Sequence, residues 1–277
     1  PDGVGFSVDR NKISWEGWDV RVSLTPDEGV VLHELSLDGR PILFRAAMSD
    51  MVVPYGSADP MHSWKAVHDG TEYGFGRLSN SLSLGCDCLG EIHYFNASGI
   101  SFDGSVEVIE NAICLHEEDY GIQWKHNDGM GAPNEVRRSR RLVISSISTI
   151  GNYDYGLFWY LYLDGTIEAE VKLTGIVGIS AYNEEKHNPN QDLRISKELV
   201  SPVHQHLFCM RLDWNLDGGN NQLFESEIEL MPDDGNNSHG MQFQSVSTHL
   251  KTEHEAKRDI SPATSRVWKV VNPQKKN

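Results

Sequence analysis

Three runs near the middle of the chain, RLVISSISTI (141–150), LFWYLYL (157–163) and TIEAEVKLTGIVGIS (166–180), consist mainly of β-branched, aromatic and small residues. Such residues pack well on a pleated surface and lose little side-chain freedom when extended. Asp164-Gly165, between the last two runs, suits a two-residue hairpin, whose central positions need φ above zero. Further turn signals stand at 127–129 (NDG) and 216–219 (LDGG). The pattern implies long, twisted antiparallel strands. Helical periodicity is scarce: FRAAMSDM (44–51) is expected to make a short helix and EHEAKRD (253–259) one or two turns. The fold class is therefore all-β, a large antiparallel β-sandwich. The polar stretches 180–198 and 231–240 read as loops, because strand-like sequence resumes on both sides. With no internal repeat, residues 1–277 read economically as one domain.

With 277 residues, 39% of them hydrophobic, the chain can fill a core. Its 24 Lys and Arg against 40 Asp and Glu give a formal charge of -16, which repels phosphate backbones and anionic lipid. Nucleic acid and membrane are thereby disfavoured as partners. No run reaches the roughly 18 apolar residues of a spanning helix, and PDGVGFSVDR at the start has no signal-peptide core. The start without Met and the end at VVNPQKKN suggest a fragment, so the sequence assigns no compartment. Four cysteines, Cys86, Cys88, Cys114 and Cys209, are too few for a disulfide scaffold, and a lone CDC is a poor zinc signal; one bridge remains open.

His204-Gln205-His206 opens a strand-like run after Pro202. Residues two apart on a strand share a face, so both imidazoles can converge on one copper or zinc ion. Tyr153 is flanked by Asn152 and Asp154, which on a regular strand point to the opposite face and interrupt an apolar pattern. Such local violations are common at functional sites, although a strand tyrosine is ordinarily a core residue. Asp69 lies in WKAVHDGTEYGFG (64–76), a Gly-rich loop that also holds His68, Glu72 and Tyr73. An aspartate there is ordinarily a turn residue.

Taken together, MVVPYG (51–56), DGTEYGFG (69–76), NSLSLGCDCLGEIHY (80–94), NAICLHEEDYGIQWKH (111–126), TIGNYDYG (149–156), LYLDGTIEAEVKLTG (161–175) and HQHLFCMRLD (204–213) resemble the catalytic domain of the copper-containing, quinone-dependent primary amine oxidases. The match runs in order through most of the chain. The resemblance implies that Tyr153 is the precursor of topaquinone, formed with copper(II) and dioxygen. It also implies that Asp69 is the catalytic base, Tyr55 the hydrogen-bond partner of the quinone oxygen, and Asn152 the ring-orienting residue. A quinone supplies the electrophilic carbonyl and electron sink that no standard side chain offers. A primary amine and dioxygen would then give aldehyde, ammonia and hydrogen peroxide. His204 and His206 match two of three copper ligands, and Asp213 matches a ligand of a peripheral calcium or manganese ion. Cys88 and Cys114 match the family's disulfide, with Cys86 and Cys209 left free. The complete protein is expected to be a homodimer.

Departures from the family pattern carry expectations of their own. His68 replaces the usual aromatic before Asp69, and Gly70-Thr71 inverts the usual order after it. Val67 stands where some members carry a gating tyrosine, which predicts a wider entrance. The third copper histidine of the family lies further beyond His206 than this chain extends, and His239, His249 and His254 come too early. The 277 residues are therefore read as a partial domain, truncated at its C-terminus, that neither binds copper tightly nor converts Tyr153. Missing strands would leave an exposed edge or apolar face. The competing reading is a catalytically inactive β-sandwich serving as a binding or structural module; the joint presence of Tyr55, Asp69, Asn152, Tyr153, His204 and His206 argues against it. A two-histidine zinc hydrolase finds no third ligand at useful spacing.

Overall fold

A computed structural model describes residues 3–57, 59–65, 68–101, 103–129, 131 and 134–275. Val67 lies outside the described residues. Strands β1 (Ser7–Asp9), β2 (Lys12–Trp15), β3 (Trp18–Thr25), β4 (Gly29–Leu37) and β5 (Arg40–Val52) form an antiparallel meander. A second meander comprises β6 (His93–Ile100), β7 (Val106–His126), β8 (Glu135–Ile150), β9 (Tyr153–Tyr162) and β10 (Ile167–Gly175), ordered β10-β9-β8-β7-β6. Short strands β11 (Ser180–Ala181), β12 (Asp192–Arg194) and β13 (Leu199–Pro202) make a small sheet ordered β11-β13-β12. Strand β14 (Leu207–Trp214) joins the first sheet beside β5. The last sheet holds β15 (Gln222–Leu230), β16 (Phe243–Leu250) and β17 (Val267–Val271), with β15 central.

The chain separates into two compact units, residues 1–39 with 45–212, and 40–44 with 213–277. The larger is the sandwich the sequence implies. Its buried residues include Val30, Val31, Leu32 and Leu35 of β4, Leu142 and Ile144 of β8, and Leu157, Trp159 and Leu161 of β9. Gly29, at φ +74, faces β9: an added Cβ would make an ordinary van der Waals contact with the Leu157 side chain at 3.4 Å. The Trp18 indole N–H donates to the Tyr162 carbonyl at 2.9 Å, tying β3 to the end of β9. In the smaller unit, Glu225 is buried between Arg258 and Arg266, with contacts of 3.2 and 3.5 Å.

Two local expectations fail. Residues 44–51 are not helical; they run inside β5, between β4 and β14. Ala46, Ala47 and Met48 are buried in succession, as on a strand covered on both faces, so tertiary burial overrides the helical preference of Ala and Met. The run 166–180 is a strand only as far as Gly175. In 253–259 one turn forms, within the one or two expected, with the Ala256 N–H donating to the Thr252 carbonyl at 3.1 Å.

Candidate active site

Tyr153 begins β9 directly after a two-residue turn, Gly151-Asn152, with Ile150 paired across to Tyr153. Gly151 takes φ +63, the value the first position of a II′ hairpin turn requires. Asn152 is therefore a turn residue and not part of an interrupted strand. Its side-chain amide donates to the Ile176 carbonyl, while the Ile176 N–H donates to the Asn152 carbonyl at 2.7 Å. This pair fixes the segment after β10, from which the Gly178 N–H donates to the Tyr153 hydroxyl at 3.1 Å. Gly175, at φ +97, permits the approach: a Cβ there would lie 2.6 Å from the Asn152 carbonyl oxygen and 2.8 Å from the Tyr153 Cα. Asp154 faces the other side, where Thr149 donates to its carboxylate.

His204 and His206 follow β13, and their rings lie 5.0 Å apart. The His204 Nδ1–H donates to the Pro202 carbonyl at 2.9 Å, which leaves the Nε2 lone pair facing the Tyr153 hydroxyl at 3.3 Å. His206 Nδ1 meets the Tyr155 hydroxyl at 3.2 Å. Burial, with the neighbouring His204, holds His206 down to about 4, so it is a neutral imidazole at physiological pH. Tyr55 pairs with His204 in a backbone bridge, and its ring stacks on the His204 imidazole at 4.5 Å and 11°. Burial and the neighbouring Tyr153 hydroxyl push the Tyr55 hydroxyl well above the usual phenol range. Tyr153, Tyr155, Leu173, Gly175, Val177 and His206 line a cavity of about 240 Å³.

Asp69 precedes a five-residue π-helical turn, Gly70–Gly74. Burial, and then the charges of Glu72 and Asp50, push its carboxyl up to about 6. Its charge in turn raises the hydroxyls of Tyr55 and Tyr155, placing Asp69 in the same electrostatic environment. The loop is held from β5. Asp50 accepts from His68 Nδ1 at 2.8 Å and from the Thr71 N–H at 3.3 Å, and a Cβ on Gly70 would lie 2.8 Å from both Asp50 Oδ1 and the Met51 nitrogen. His68-Asp69-Gly70 thus has a packing reason at each flank.

Residues 7–277 match the family model described as copper amine oxidase, enzyme domain. The chain belongs to the copper amine oxidase family. It is 47% identical to histamine oxidase of Arthrobacter globiformis over 285 residues, spanning 100% of this chain and 41% of that protein. It is 44% identical to primary amine oxidase of Arthrobacter sp. strain P1 over 281 residues, spanning 100% of this chain and 43% of that one. A copper-containing benzylamine oxidase from Hansenula polymorpha superposes with a TM-score of 0.92 at 32% identity, covering 99% of this chain and 43% of its own. The chain therefore spans less than half the length of these relatives.

Within this copper amine oxidase chain, Tyr55, Asn152, Tyr153, His204 and His206 come together, with Asp69 within electrostatic reach. Asp213 does not join a cluster: it is exposed near the end of β14, and among the described residues no three His, Cys, Asp or Glu side chains gather as a metal site. Cys88 and Cys114 share a buried cluster with Leu82, but as two thiols and not as a disulfide. Burial and Cys88 push the Cys114 thiol upward. Sequence reasoning missed Tyr155 and Asp50. Alternation could have found Tyr155, because it shares a strand face with Tyr153; Asp50 carried no signal, since it sat in the segment expected to be helical.

Proposed function

We propose that the complete protein oxidises primary amines to aldehydes, releasing ammonia and hydrogen peroxide, with copper and a quinone made from Tyr153. The observation that carries this reading is the Tyr153 hydroxyl, 3.3 Å from an imidazole nitrogen whose lone pair is freed by the His204–Pro202 hydrogen bond. The donor set fits two positions of a copper site: two neutral-capable imidazoles, each with a hydrogen-bond partner on Nδ1. Copper bound there would supply oxidation of the adjacent phenol, and the resulting quinone an electrophilic carbonyl and electron sink.

The chain's own groups do the rest. Asp69, raised to about 6, is mostly ionised at neutral pH and would take the proton from the carbon next to the substrate nitrogen, whose acidity the quinone's electron sink would raise. Tyr55, stacked on His204 with its hydroxyl interacting electrostatically with that of Tyr153, would hold the ring oxygen of residue 153. Asn152 acts through Ile176 and Gly178, fixing the backbone donor on the same oxygen. Tyr155 orients His206. The 277-residue span alone is proposed to be inactive for want of a third copper donor, and the complete protein to be a homodimer.

The test uses the full-length protein, loaded with copper under air and assayed with aliphatic and aromatic primary amines. Quinone absorbance with stoichiometric aldehyde and peroxide supports the reading. A folded, copper-loaded protein with neither would support an inactive module instead.

A further inference from the structure

Tyr55 is held from a second side by a residue that belongs to none of the roles above. His62, 2% exposed, stacks parallel to the Tyr55 ring at 5.8 Å and 5°. Tyr55 in turn stacks on His204 at 4.5 Å and 11°. The three near-parallel rings form a series running from His62 through Tyr55 to His204. His62 is placed by a turn in which its N–H donates to the Asp59 carbonyl at 2.8 Å, while the Asp59 side chain caps the Met61 N–H at 2.8 Å.

The imidazole has a defined tautomer. Lys65 Nζ lies 3.2 Å from His62 Nδ1, and an ammonium can only donate, so Nδ1 accepts and the ring proton sits on Nε2. Among the described residues that Nε2–H has no partner, and a buried donor left unpaired costs stability. Phenylalanine would stack as well without this cost. What phenylalanine lacks is an acceptor for Lys65, and Lys65 Nζ stands 5.4 Å from the centre of the Tyr55 ring, within cation–π range.

We propose that His62 is a positioning residue for the amine oxidase site: it clamps the Tyr55 ring against His204 and anchors the Lys65 ammonium over that ring. The proposal rests on the amine oxidase reading for its effect on catalysis, but not for its geometry. Without His62 the Tyr55 ring is free to tilt away from His204, carrying its hydroxyl off Tyr153.

The experiment compares wild type with His62→Ala, His62→Phe and Lys65→Met in the full-length protein. In crystals of the copper-free form, His62→Ala should displace the Tyr55 ring from His204, and His62→Phe should restore it. On adding copper and dioxygen, His62→Ala should slow quinone formation by about tenfold or more, as expected for a misplaced partner group. His62→Phe should recover most of that rate, and Lys65→Met should lose a smaller part of it. Tyr55 unmoved in His62→Ala, or His62→Phe no better than Ala in a folded protein, would overturn the clamp. Should His62→Ala fail to fold, His62→Gln, which keeps an acceptor but no ring, takes its place with the same expected displacement. If wild type makes no quinone the amine oxidase reading fails, while the Tyr55 position in copper-free crystals still decides the clamp.

Discussion

Strand β9 carries four tyrosines, and its two ends use them differently. Tyr153 and Tyr155, at the start, share the face of Leu157 and Trp159 and meet imidazoles at 3.3 and 3.2 Å. Tyr160 and Tyr162, at the end, lie on the opposite face, where Tyr160 donates to Glu170 at 2.6 Å and Tyr162 donates to Glu168. There Arg141 completes the set, donating to the Tyr162 hydroxyl at 3.1 Å, pairing with Glu118 at 2.7 Å and standing 4.0 Å over the Tyr160 ring. At the far end every hydroxyl and charge has a complementary partner, the arrangement of a structural network. At the near end hydroxyls face imidazole nitrogens, which can bind a metal, and a half-buried carboxyl has its affinity for protons raised. Four chemically identical side chains on one strand thus divide into a pair tied to carboxylates and an arginine and a pair facing imidazoles.

Tyr153→Phe should have the largest effect: no quinone and no turnover, with copper still bound through His204 and His206, as read by metal analysis and visible absorbance. Asp69→Asn should permit quinone formation but lower turnover by about 10²- to 10⁴-fold. In wild type, kcat/KM should fall as pH drops through about 6, because protonation removes the base. That limb should vanish in the Asn variant; a limb centred at the ordinary carboxylate value would break the link to Asp69. Tyr155→Phe should weaken copper by about tenfold or more through loss of the His206 partner. Tyr160→Phe should cost only about 0.5–1.5 kcal/mol in denaturant melts. It should leave quinone formation unchanged, and equal effects of the Tyr155 and Tyr160 changes on the quinone would erase the contrast between the two ends.

The long strands around 141–175 were legible because β-branched and aromatic residues and Asp164-Gly165 signal hairpins locally. The turn at Gly151-Asn152 was missed although Gly-Asn is a hairpin dipeptide, since the eye follows apolar residues from Thr149 to Leu163 and reads one strand. Residues 44–51 could not be read correctly from local pattern: Ala46, Ala47 and Met48 favour helix, and only a place between β4 and β14 makes them strand. Of the site, Tyr153, His204 and His206 were legible as motifs, and Asp69 and Tyr55 through family resemblance. His62 and Asp50 act by packing across loops and strands, which no spacing along the sequence encodes. Cys88–Cys114 was read as a disulfide through family resemblance, and the structure holds the two as neighbouring thiols.

The central claim is that Tyr153, and no other tyrosine of β9, becomes the cofactor. Peptide mass analysis of the full-length protein after exposure to copper and dioxygen tests it directly. The account predicts the mass shift of a hydroxylated quinone on Tyr153, with Tyr155, Tyr160 and Tyr162 unmodified. An unmodified Tyr153 in copper-loaded protein, or the modification on another tyrosine, would contradict it.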